Sequence, residues 1–170
     1  MKQQAGFTII ELIVVIALLG ILGAVALPRF INVTEDAHRA SVQGTAGAFA
    51  SAVALVRAQA IVENTSQGNT LAIDGNNIIV NAQRAPVNTN GTAITNATTA
   101  PALSAAGCVN VWGAILQANA PSVATAAGSD YQAALNGNNC VYTYQPDDNN
   151  GTPRTITYNT TNGEVTTAGL

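Results

Sequence analysis

One acidic side chain interrupts a long apolar run near the start of the chain. The run begins at Phe7 and reaches Leu27, and Glu11 is its only charged residue. As a helix this stretch would be roughly 30 Å long, which is the thickness of the hydrocarbon core of a bilayer. A carboxylate inside such a span costs on the order of 3 kcal/mol, so it is expected to serve a function and to pair with a cation. We therefore predict a membrane-spanning helix in which Glu11 binds a positive charge.

The residues in front of this carboxylate form a specific pattern. Gly6 is followed by Phe7, a short polar leader precedes them, and Glu11 stands four residues beyond Phe7. Together with the apolar helix, this pattern resembles the type III signal of type IV prepilins. The resemblance implies that a prepilin peptidase cuts after Gly6 and methylates the new amine of Phe7. It also implies that Glu11 pairs with the charged N-terminus of a neighbouring subunit.

The resemblance extends beyond the signal. Type IV pilins weaken their helix at positions that correspond here to Gly20, Gly23 and Pro28. Within the type IVa-like pilins, residues 108–117 and 140–144 look most like pilins of the mannose-sensitive haemagglutinin type. The likeness is strong over the first third of the chain and patchy afterwards.

The pilin family implies a fold and a division of the chain. Residues 1–6 would be a leader peptide, residues 7–28 the hydrophobic transmembrane and assembly helix, and residues 29–170 the globular domain. The expected class is α+β, with a long N-terminal helix that has a transmembrane half and an amphipathic half. The amphipathic half would pack against a small C-terminal antiparallel β-sheet, since each has one apolar face to cover.

The resemblance also implies a function. The chain would be a structural subunit of a type IV pilus that polymerises through its N-terminal helix and serves attachment to surfaces. Its implied partners are further copies of itself in a helical homopolymer, prepilin peptidase, the assembly machinery of the inner membrane and, before assembly, the membrane itself. The precursor would lie in the inner membrane of a Gram-negative bacterium and the mature protein in an extracellular pilus. No cofactor is implied.

Other interpretations of the N-terminus stay open. A type II secretion pseudopilin or a minor pilin would share the signal. Residues 24–26 have the A-x-A form of a signal-peptidase site, so cleavage there would release a periplasmic binding module, although this leaves Glu11 unexplained. A membrane-anchored enzyme would need a catalytic site, and the sequence offers neither a Gly-x-Ser-x-Gly elbow nor carboxylates paired in an obvious cleft. We therefore expect a protein that is not an enzyme.

Composition and cysteine usage give two further expectations. Charged residues make up 9% of the 170, the net charge is −3, and the six basic residues are scattered singly. Without a basic patch, binding of nucleic acid is not expected. Cys108 and Cys140 are the only cysteines, and export would bring them into an oxidising compartment, so we predict a disulfide between them.

Metal binding has only weak candidates in this sequence. Asp147 and Asp148 place oxygen ligands in a turn-forming segment, and related secretion pseudopilins are known for calcium in their C-terminal loops. The segment does not fit the EF-hand pattern, so we expect a solvated turn and no metal site.

Hydrophobic periodicity predicts the elements that carry these residues. Six apolar residues at intervals of three and four extend the long helix beyond Pro28, and one sheet is expected to cover them: Val42, Ala46, Phe49, Val53, Val56 and Ala60. Gly44 and Gly47 cost about 1 kcal/mol each in a helix, which indicates either close backbone packing or plain tolerance.

The rest of the chain is read from turn signals and β-propensity. We predict a hairpin over residues 71–80, an exposed loop over residues 81–101 and a short helix over residues 103–119 that buries Trp112. Three β-rich segments predict an antiparallel meander: residues 141–144, 155–158 and 164–167.

Overall fold

The computed structural model describes residues 6–89, 103–116, 118–147 and 149–170, with only the backbone of residues 28–32, 89 and 150. Residues 1–5 of the predicted leader and residues 90–101 of the predicted loop lie outside this description. The chain divides into two compact units, Met1–His38 and Arg39–Leu170, and helix α1 (Ile9–Val62) contributes to both. The predicted α+β class is confirmed.

The first unit consists of the beginning of helix α1. The large apolar side chains between Phe7 and Leu27 are 46% to 79% exposed. By length and composition, Ile9–Leu27 can cross a membrane, and none of it is buried inside the protein. A second stretch of the same helix, Val33–Val62, meets the same criteria with 28% of its apolar window buried. The helical backbone continues through Gly20, Gly23 and Pro28, so the weakness expected there stays a prediction.

In the second unit, the predicted apolar stripe of helix α1 is buried at all six positions. The expectation that one sheet covers it is wrong. Val42, Ala46, Phe49 and Val53 belong to a core shared with a second helix and a five-stranded sheet. Val56 and Ala60 pack instead against a three-stranded sheet. The stripe is longer than one small sheet can cover, so two sheets divide it.

The three-stranded sheet is antiparallel and has the order of its strands in sequence: β1 (Thr70–Ile73), β2 (Asn76–Val80) and β3 (Pro86–Thr89). The predicted hairpin is confirmed, and Asp74 and Gly75 form its turn with φ of 47° and 80°. Strand β3 corrects the loop expected over residues 81–101. It was not apparent from propensity because tertiary contacts hold it: the hydroxyl of Tyr158 donates to the carbonyl of Pro86 at 2.7 Å.

Helix α2 (Ala105–Ile115) is shorter than the predicted segment. Ser104 caps its start, since the hydroxyl of Ser104 accepts a hydrogen bond from the backbone N–H of Gly107 at 3.0 Å. Leu116 leaves the helical conformation with ψ of 151°, which ends the helix. As predicted, Trp112 is buried, and its indole N–H donates to the carbonyl of Pro121 at 3.0 Å.

The second sheet has five strands in sequence order: β4 (Val123–Ala124), β5 (Tyr131–Asn136), β6 (Asn139–Tyr144), β7 (Thr155–Asn159) and β8 (Val165–Ala168). Strands β4 and β5 are parallel, and the other pairs are antiparallel. The predicted meander corresponds to β6, β7 and β8, so the expectation of three strands was incomplete. Strand β5 is alanine-rich and has weak β-propensity, although Gly137 and Asn138 form the turn that follows it.

Aromatic rings fill the space between helix α1, helix α2 and the larger sheet. Phe49 lies 5.5 Å from Trp112 and 5.3 Å from Tyr158, measured between ring centroids. Trp112 in turn lies 4.7 Å from Tyr142 and 4.9 Å from Tyr131. At Gly44 and Gly47, by contrast, an added Cβ would meet no atom within 4 Å. Within the described part of the chain, close backbone packing therefore does not explain these glycines, which leaves tolerance as the other of the two alternatives.

Candidate functional site

Two residues that hydrogen-bond to each other cap the start of helix α1. Thr8 precedes the helix, and both its backbone N–H and its hydroxyl donate to Oε2 of Glu11, at 3.0 Å and 2.6 Å. The backbone N–H of Glu11 donates in return to the Thr8 hydroxyl at 3.3 Å. Threonine at the N-cap and glutamate at the third helical position form a capping box, which satisfies backbone groups that a helix start leaves free.

This capping box gives Glu11 a partner within its own chain. Sequence reasoning assigned the carboxylate only to the amine of a neighbouring subunit and did not identify Thr8. The signal was present, because Thr8 and Glu11 have the S/T-x-x-E spacing of a capping box. A carboxylate at this end of a helix is also stabilised by the helix dipole. The two intrachain bonds to the carboxylate do not exclude a further contact, since both of them reach Oε2.

Gly6 and Phe7 lie outside the helix and are exposed. An added Cβ on Gly6 would meet no atom within 4 Å, so folding of the described chain does not require glycine there. Phe7 is followed directly by Thr8, the cap of the helix. The predicted processing residues, Gly6 and Phe7, and the predicted assembly residues, Phe7 and Glu11, thus lie together at the exposed start of helix α1.

Cys108 and Cys140 form the predicted disulfide, which links helix α2 to strand β6. Their Cα atoms are 5.5 Å apart, and both residues are buried. The bridge is joined to the aromatic core, because the hydroxyl of Tyr142 donates to the backbone carbonyl of Cys108. These cysteines are therefore structural, and they lie in the second unit.

Asp147, one of the weak calcium candidates, already has partners. Its carboxylate forms an ion pair with Arg154 and accepts the backbone N–H of Asn149 at 2.9 Å. Arg154 is buried, so the pair fixes the loop between β6 and β7, a role that sequence reasoning missed. Asp148, the other candidate, lies outside the described residues. Within the described part of the chain, no three His, Cys, Asp or Glu side chains come together as a metal site would require.

The N-terminal segment also matches a known sequence family. Residues 1–27 match the prokaryotic N-terminal methylation motif, which covers Gly6, Phe7, Glu11 and the apolar run. The N-terminus of the chain is therefore similar to that of proteins that carry this methylation motif.

Curated relatives carry pilin names as well. The chain is 51% identical over 58 residues to the type IV narrow pilus major component PilA5 of Thermus thermophilus, which is 34% of this chain and 50% of that protein. It is 36% identical over 72 residues to a fimbrial protein of Pseudomonas aeruginosa, covering 41% of this chain and 47% of the relative. It is 43% identical over 53 residues to the type IV major alpha-pilin of Moraxella bovis, covering 31% and 33%.

The matches cover only part of this chain and part of each relative. The chain spans about half the length of the first curated pilins it matches, and a third of the Moraxella pilin. No solved structure matches the chain. None of the three relatives bears the name of a mannose-sensitive haemagglutinin pilin, so that narrower resemblance stays a prediction. The similarity to type IV pilins in general is confirmed.

Proposed function

We propose that this chain is a structural subunit of a type IV pilus. Residues 1–6 act as the leader, residues 7–28 as the transmembrane and assembly helix, and residues 29–170 as the globular domain. The observation that carries the proposal is the coincidence of the methylation motif over residues 1–27 with an apolar helix whose side chains are uncovered. Because exposed apolar surface of this extent is unfavourable in water, lipid covers it in the precursor and other subunits cover it in the filament.

Assembly in this proposal is a physical process with no chemical step after processing. Apolar helices leave the membrane and bury one another, and head-to-tail packing that does not close produces a helical fibre. Glu11 neutralises the methylated amine of Phe7 on an adjacent subunit, which sets the stagger of the helices. The pair forms only after prepilin peptidase cuts the bond after Gly6, because the amine does not exist before the cut. Assembly therefore requires prior cleavage by prepilin peptidase.

The same proposal assigns partners and location. The precursor resides in the inner membrane of a Gram-negative bacterium, with the assembly machinery beside it, and the mature chain is in an extracellular filament that attaches the cell to surfaces. The globular unit, closed by the Cys108–Cys140 disulfide, suits an oxidising location outside the cytoplasm. The pilin names of the relatives support a structural role and not an enzymatic one.

The test expresses the full chain as the only major pilin in a host with a type IV pilus machinery. Sheared surface filaments are expected to contain a chain that begins at N-methylated Phe7, as read by mass spectrometry of the N-terminus. Gly6→Val is expected to block the cut and leave the precursor in the membrane, whereas the helix variant Gly44→Ala serves as a control with unaltered processing. A mature N-terminus at Leu27 would establish a conventional signal peptide and overturn the proposal.

A second variant tests the charge pair. Glu11→Ala removes a costly carboxylate, so membrane insertion is expected to remain and the Gly6–Phe7 bond to be cut. Filament yield is expected to fall because the contact that sets the stagger is lost. Normal piliation by Glu11→Ala as the only copy would contradict the pairing while leaving the processing result intact.

A further inference from the structure

We infer that Thr8 is a positioning residue for the assembly contact of Glu11. The inference rests on the proposed function and adds a residue to it. The two donors of Thr8 both reach Oε2 of Glu11, at 3.0 Å and 2.6 Å. Among the described residues, no hydrogen bond reaches Oε1. Thr8 therefore holds one carboxylate oxygen and leaves the other for an amine from a second copy of the chain.

The chemistry of the carboxylate allows both contacts at once. An ionised carboxylate has roughly four lone-pair sites on two oxygens, so bonds from Thr8 do not use up its capacity. A secondary ammonium group that reaches Oε1 would form a charge-assisted hydrogen bond, which is shorter and stronger than a neutral one. Because Oε2 is already hydrogen-bonded, the free-energy cost of removing the carboxylate from water is also smaller.

Positioning lowers the entropic cost of assembly. A glutamate side chain that is free in solution loses rotamer freedom when it is fixed in a contact, which opposes the contact. Here two hydrogen bonds from Thr8 restrict the Glu11 side chain in the single subunit, before a partner arrives. Part of the side-chain entropy is therefore lost when the single subunit folds. It does not have to be lost again on assembly, which favours the contact with the second subunit.

Thr8 has a feature that a simple helix cap would not need. Aspartate or asparagine also caps helices well, but aspartate would place a second negative charge beside Glu11, and neither side chain has a hydroxyl donor. The hydroxyl of Thr8 both accepts from the backbone of Glu11 and donates to its carboxylate. Serine keeps both bonds, whereas valine has the shape of threonine and makes neither. These two substitutions therefore separate the hydroxyl from the size of the side chain.

The experiment combines Thr8 and Glu11 variants in the full chain, expressed as the only major pilin. Filament yield is measured by quantitative immunoblot of the sheared fraction against total mature subunit. Thr8→Val is expected to lower the yield about fivefold, and Thr8→Ser to stay within about twofold of the parent. In the Glu11→Ala background, Thr8→Val is expected to cause no further loss, because the carboxylate that it positions is absent.

Two controls exclude trivial causes. Each variant is checked for the mature N-terminus at Phe7 and for unchanged helix content in detergent. An equal loss from Thr8→Val in both backgrounds would mean that Thr8 supports the helix by itself, and would overturn the inference. Parent-like assembly of Thr8→Val beside impaired Glu11→Ala would overturn the inference but leave the charge pair standing. Normal assembly of Glu11→Ala would overturn both.

Discussion

The hydroxyl of Tyr142 donates a hydrogen bond of 2.9 Å to the backbone carbonyl of Cys108. Tyr142 lies on strand β6 two residues after Cys140, the partner of Cys108 in the disulfide. Strand β6 is therefore joined to helix α2 twice, once by a covalent bond and once by a buried hydrogen bond. The hydroxyl is the only polar atom of a side chain that otherwise packs against Phe49 and Trp112.

Tyr142→Phe removes this hydrogen bond without leaving a cavity. We expect a loss of about 1 kcal/mol in the free energy of unfolding, since that is the usual net value of one buried hydrogen bond. For a chain of this size the midpoint of thermal unfolding in detergent is expected to fall by about 3 °C. Tyr158→Phe is the matched comparison, because the hydroxyl of Tyr158 makes the equivalent bond to the carbonyl of Pro86. An unchanged midpoint for both variants would contradict the assigned role of the hydroxyls.

The disulfide is expected to be complete in exported protein. Unreduced protein should have a mass about two daltons below the dithiol form and resist alkylation until it is reduced. Cys140→Ser is expected to cost roughly 2 to 5 kcal/mol, because the open chain gains conformational entropy in the unfolded state. Surface filaments should decrease while precursor still accumulates. Alkylation of both thiols in native exported protein would refute the bridge.

Gly169 is expected to be sensitive to a single added methyl group. Its φ is +74°, and a Cβ there would lie 2.5 Å from the carbonyl oxygen of Pro153. We expect Gly169→Ala to lower the free energy of unfolding by roughly 2 to 4 kcal/mol, from backbone strain plus the clash. The control is Gly137→Ala, where φ is +59° but no atom lies within 4 Å, so only about 1 kcal/mol is expected. Equal losses measured by urea unfolding would show that the contact with Pro153 is unimportant.

Buried tyrosines predict a loss of stability at alkaline pH. Burial raises the pKa of Tyr131 to about 12, and burial also raises the pKa of Tyr142 and of Tyr158. In the unfolded chain a tyrosine has a pKa near 10, so these side chains keep their protons longer in the folded protein. The free energy of unfolding is therefore unaffected by them below about pH 10 and falls as pH rises towards 12 and beyond. Absorbance at 295 nm should therefore rise together with the loss of circular dichroism. Ionisation of these three tyrosines near pH 10 in folded protein would contradict the buried core.

Local patterns in the sequence determined the N-terminal half of the structure. The motif at Gly6, Phe7 and Glu11 needs no distant partner, and the spacing of the apolar stripe from Val42 to Ala60 is a property of the helix alone. The capping box was equally local, since Thr8 and Glu11 are three residues apart. It was overlooked because a contact with another subunit already explained the carboxylate. The disulfide followed from the compartment and from there being two cysteines.

The tertiary structure decided the remainder. Strand β3 is held through the Tyr158 hydroxyl, 72 residues from Pro86. The alanine-rich strand β5 is stabilised by pairing with β4 and β6 on its two sides. Asp147 proved to be the partner of a buried arginine and not a free ligand. Helix periodicity and caps arise within four residues, so a sequence displays them, whereas a strand depends on neighbours that only the folded chain brings together.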